Sequence, residues 1–84
     1  MEKPKILIID DEEAICASLT LALKGSYDVS AVTNANKGLK LIKEKSFKLV
    51  LLDLIIGEDE GLEVLSKIKS IDSSTSVIMM TAYG

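Results

Sequence analysis

The chain has 84 residues, with ten Lys, no Arg, 13 Asp plus Glu, no His, one Cys and no Trp, and a formal charge of −3. That length makes a single domain, and 48% apolar residues suffice for one core and are too many for a disordered tail. The absence of His removes the usual general base, the Ser-His triad and His-containing zinc sites. One Cys excludes an internal disulfide and fits a reducing, cytoplasmic setting. An acidic balance without Arg argues against nucleic-acid binding. Apolar runs of about four residues, such as 49–52, are too short for a membrane span or a signal peptide.

Residues 5–10 (KILIID) are a continuous apolar run ending in acid, the pattern of a strand buried on both faces. Residues 12–24 read as a helix, with Asp10 or Asp11 as N-cap, Glu12 and Glu13 in the first turn and Gly25 as its stop. Ile15, Leu19, Ala22 and Leu23 mark its core face. Ala14, Ala17 and Leu21 make the other side apolar too, so something besides the sheet is expected to cover it. Residues 27–32 form a weaker, partly polar strand, as at a sheet edge. Residues 34–45 return to helical spacing through Ala35, Leu39 and Ile42, with Lys37, Lys40, Lys43 and Lys45 toward water. Residues 48–53 (KLVLLD) repeat the first strand's form, and 54–60 are expected as a loop. Residues 61–71 are a third helix with Leu62, Leu65 and Ile68 on one face; a turn at 72–74 leads to a fourth strand at 75–80 (TSVIMM).

Strands alternating with single helices imply an α/β fold with a parallel sheet and right-handed crossovers. Helices must cover both faces, so the strand order reverses, and 2-1-3-4 is the natural arrangement. A ligand site is then expected at the carboxyl ends of the first and third strands. Asp10 and Asp11, Asp53 and Thr81 stand at those ends. Singly, each has a plain structural explanation: a helix cap, a strand terminator, a common strand residue. Jointly they converge on one rim. Clustered carboxylates repel and their pKa values rise unless a cation compensates, and oxygen-only donors select a hard ion such as Mg²⁺. With the ion bound the cluster can receive a phosphoryl group, and Asp53 is placed to form an acyl phosphate. A glycine-rich nucleotide cradle is excluded, because the first strand is followed by Asp-Asp-Glu-Glu.

On these residues the chain resembles the receiver domain of two-component response regulators. The pieces that match are Asp10-Asp11 after ILII, Asp53 in LVLLDL, Gly61-Leu62-Glu63 opening the third helix, and Thr81-Ala82 after VIMM. The resemblance spans the whole chain, and the ending MMTAYG is similar to receivers attached to sigma-54-dependent AAA+ activators. It implies a flavodoxin-like, doubly wound fold of order 2-1-3-4. It also implies that Asp53 accepts phosphoryl from a sensor histidine kinase. Asp11 and Asp53 would ligate Mg²⁺ directly, with Asp10 acting through water and the Ile55 backbone carbonyl as a further ligand. The Thr81 hydroxyl would move to the phosphoryl oxygen as the switch, with Ala82 leaving it room.

Three departures stand out. Ile56-Gly57 replaces the family's usual Met-Pro, which implies a looser loop, and Glu60-Gly61 replaces Asp-Gly. The family's fourth helix, fifth strand and fifth helix, with their essential Lys and aromatic switch residue, have no counterpart in residues 1–84. The resemblance thus implies the N-terminal two-thirds of a receiver, with an output domain beyond residue 84 in the parent protein. Two other readings stay open: a Mg²⁺-dependent phosphohydrolase with an Asp nucleophile, for which this length leaves little room, and a degenerate receiver that only binds partners. With its fourth strand and first helix uncovered, the chain is expected to form homo-oligomers through one of them.

Overall fold

The four expected strands become one parallel sheet in the computed structural model, which describes residues 2–80. In chain order the elements are β1 (Lys5–Ile9), α1 (Glu13–Leu23), β2 (Asp28–Val32), α2 (Ala35–Glu44), β3 (Leu49–Asp53), β4 (Ile55–Ile56), β5 (Asp59–Glu60), α3 (Gly61–Ile71) and β6 (Ser76–Met80). The sheet order is β2-β1-β3-β6 with every pair parallel, so the expected reversal beside β1 is present and β6 is the fourth strand of the 2-1-3-4 order. Thr81 and Ala82 lie outside the described residues.

β1 is central, and Ile6 to Ile9 are all buried, as a strand covered on both faces requires. Alternation sends Leu7 and Ile9 to one face, where Val50 and Leu52 of β3 join them. α2 and α3 cover that face through Ala35, Ile42, Val64 and Ile68, with Phe47 and Ile56 closing its ends. Gly38 lets α2 approach closely: a Cβ there would lie 2.5 Å from Ile9 Cδ1. Asn34 caps α2, its side chain accepting a hydrogen bond from the Lys37 N–H at 2.8 Å.

Three expectations need correction. In α1 only Cys16 is buried; Leu19 and Leu23 are half-buried, while Ile15 and Ala22 are exposed. α1 packs chiefly beside β2, so the inward stripe is set by the sheet's edge and not by the largest side chains. The Cys16 thiol faces the backbone carbonyls of Asp10 (3.4 Å) and Val32 (3.8 Å), fastening the helix to the ends of β1 and β2. In α3, Leu62 is 66% exposed and Val64 takes its inward place, because Val64 and Ile68 are one turn apart and fall on the stripe that begins at Gly61. Finally, 54–60 is not a loose loop. It folds into an antiparallel hairpin pairing Ile55 with Glu60 and Ile56 with Asp59. Gly57 has φ +61° at the first central position of the two-residue turn, the conformation that favours glycine there.

Candidate functional site

Parallel topology gathers the carboxyl ends of β1 and β3 on one rim, since Ile9 pairs with Leu52 and each strand then runs into its aspartate. Asp10 follows β1 and is 3% exposed; Asp53 closes β3 and is 8% exposed; Asp11, one residue further along, is exposed. One carboxylate oxygen from each lies within 4.8 Å of the others. β6 flanks the site, with Met80 opposite Asp53 and its carbonyl accepting from the Leu54 N–H at 3.0 Å.

Each carboxylate is held by one backbone N–H. Asp10 Oδ1 accepts from Glu12 at 2.9 Å, Asp53 Oδ1 from Ile55 at 3.4 Å, and Asp11 Oδ2 from Gly57 at 3.0 Å. This corrects the capping expectation. Glu12, without a side-chain bond, occupies the N-cap of α1, and Asp10 instead closes a short turn before it. Gly61 secures the base of the hairpin by donating its N–H to the Leu54 carbonyl. A Cβ at Gly61 would sit 2.6 Å from that oxygen, so α3 can start there only with glycine.

Burial pushes the Asp53 carboxyl above the usual carboxylate range, and the charge of Asp10 and, less strongly, Asp11 adds to the rise; the Ile55 N–H opposes it. Among the described residues the one ion pair is Glu63 with Lys67 at 4.0 Å, on the exposed side of α3. No lysine therefore neutralises this cluster. Two unit charges about 5 Å apart at an effective dielectric near 20 repel by about 3 kcal/mol, well above what a surface ion pair repays. Such a rim favours the binding of a cation. Three oxygen donors without nitrogen or sulfur fit a hard divalent ion.

The structure thus brings together Asp10, Asp11 and Asp53 of the residues expected from sequence, while Ile55 meets the cluster through its N–H, which donates to Asp53. It adds the Gly57 N–H, which the sequence analysis missed. The signal was present as a Gly-Glu pair between Ile-Ile and Asp-Glu, a two-residue hairpin turn in miniature.

Comparison with known proteins places these features in context. The response regulator receiver domain family matches residues 6–84. The transcriptional regulatory protein YkoG of Bacillus subtilis is 43% identical over 83 residues, covering 98% of this chain and 36% of that protein. A response regulator receiver domain protein from Methanospirillum hungatei JF-1 superposes with a TM-score of 0.93 at 33% identity, over 99% of this chain and 67% of that one. A response regulator from Burkholderia pseudomallei, solved with a phosphorylated aspartic acid, a calcium ion and citrate, gives a TM-score of 0.89 at 26% identity, over 98% of this chain and 49% of that one.

Proposed function

Because this chain belongs to the response regulator receiver domain family of two-component signalling, we propose that Asp53 is its phosphoacceptor and that a sensor histidine kinase is the donor. The observation that carries this reading is a buried aspartate at the end of β3 within 4.8 Å of Asp10 and Asp11, at the rim where the strand order reverses. In the step, an Asp53 carboxylate oxygen forms a bond to phosphorus as the donor's P–N bond breaks, and the imidazole leaves with a proton.

Only ionised Asp53 is a nucleophile, and its neighbours oppose ionisation. Asp10, Asp11, Asp53 and the Ile55 carbonyl are the groups that would hold Mg²⁺, which when bound supplies the positive charge that the cluster and a phosphoryl group share. Thr81 is assigned the switch contact and Ala82 the space beside it. The role is regulatory, in keeping with the transcriptional regulators among its relatives. A phosphohydrolase is disfavoured, since the chain belongs to a regulatory family. The chain spans about a third of YkoG, so an output domain in the parent protein is part of the proposal. So is a cytoplasmic location; no helix among the described residues is long and apolar enough to cross a membrane. Self-association through β6 or α1 completes it.

Acetyl phosphate with Mg²⁺ should label the parent protein once, and Asp53→Asn should abolish the label. A label that survives the substitution overturns the assignment.

A further inference from the structure

The Gly57–Asp11 hydrogen bond joins residues 46 positions apart, tying the tip of the β4–β5 hairpin to the loop after β1. Asp10 and Asp53 are fixed by burial as well as by their backbone donors. Asp11 is exposed, and among the described residues the Gly57 N–H is the one donor its carboxylate has. Without it, the side chain is free to exchange rotamers and to turn away from the cluster. The N–H reaches Asp11 from a residue at φ +61°, a region open to glycine and tolerated by asparagine. Proline can neither adopt that φ nor donate.

We propose that Gly57 is a positioning residue for the cation site: its N–H engages Oδ2 of Asp11 and leaves the other oxygen for the ion. This rests on reading the aspartate cluster as a cation site. It gives the Ile56-Gly57 departure a purpose, because a chain with proline at 57 cannot make the contact. Outer hydrogen bonds that orient metal ligands typically change affinity about 10–100-fold.

The test is a Mg²⁺ titration of the chain by calorimetry, with hydrogen exchange at the Gly57 amide measured in chelator. The wild type should bind Mg²⁺. Gly57→Pro should bind roughly tenfold more weakly. Gly57→Val, which keeps the N–H but disfavours the positive φ, should move in the same direction and serves if the proline variant does not fold. Gly57→Asn, which keeps both features, should restore wild-type affinity. Without metal, the Gly57 amide should be protected and should lose protection in Asp11→Ala. Wild-type affinity in the proline or valine variant, or an amide indifferent to Asp11, overturns the role of Gly57 alone. A wild-type chain that binds no Mg²⁺ overturns the cation-site reading, and this proposal with it.

Discussion

Removing the charge of Asp53 should relieve a cost the folded chain carries. Its pKa is raised in the native state by burial and by Asp10 and Asp11, so the native chain holds this proton to higher pH than the unfolded chain does. Stability therefore falls as pH rises from the ordinary carboxylate range through the raised native value, and the penalty is complete above it. In chelator at pH 7, Asp53→Asn should melt higher than the wild type. The gap should close in acid below the ordinary carboxylate range, and Mg²⁺ should raise the wild-type midpoint more than the variant's. Equal midpoints at pH 7 would show that the carboxylate feels no such repulsion. Cys16 gives a second check at this scale. Burial, then the Asp10 charge, pushes its thiol up, so it should react with iodoacetamide far more slowly in the native chain than in denaturant. The three aspartates were legible because they end apolar runs. The Gly57 contact was not, because the Gly-Glu pair signals only a turn, and nothing in it says that the backbone donor reaches an aspartate 46 positions away.

Secondary structure was legible wherever one stripe of a segment was clearly apolar. α2 is such a segment, with lysines opposite Ala35 and Ile42, and its bounds, Ala35–Glu44, fall one residue inside the expected 34–45 at each end. Asn34→Ala should cost about 1 kcal/mol, read from urea unfolding, through loss of the bond to the Lys37 N–H. An unchanged midpoint would mean that water replaces the cap at no cost. α1 resisted reading because apolar residues surround it, so no single stripe identified Cys16 as the inward residue. β4 and β5 are two residues each, too short for alternation to register.

At the scale of the whole molecule the two sheet faces are unequally covered. Val77 and Met79 pack on the core under α2 and α3, so Ile78 points to the opposite face, where it is 52% exposed; Leu21 on α1 is 68% exposed. β6 is also an edge, with one neighbour among the described strands. An apolar edge of this kind seeks another chain. Light scattering should find self-association of the 84-residue chain that rises with concentration, and Ile78→Lys should reduce it. A monomer at high concentration would refute this. The sheet's parallel topology also sets an order of events in time. Its pairs join Lys5 to Asp28, Ile6 to Leu49 and Leu49 to Ser76, so each must await the closure of a long loop, whereas Ile56 meets Asp59 across one turn. The rim that gathers Asp10 and Asp53 cannot exist until the most distant of these closures, β1 onto β3, is made. A cation held there has no foothold on a half-folded chain, and its appearance in a refolding experiment clocks the moment at which that closure completes.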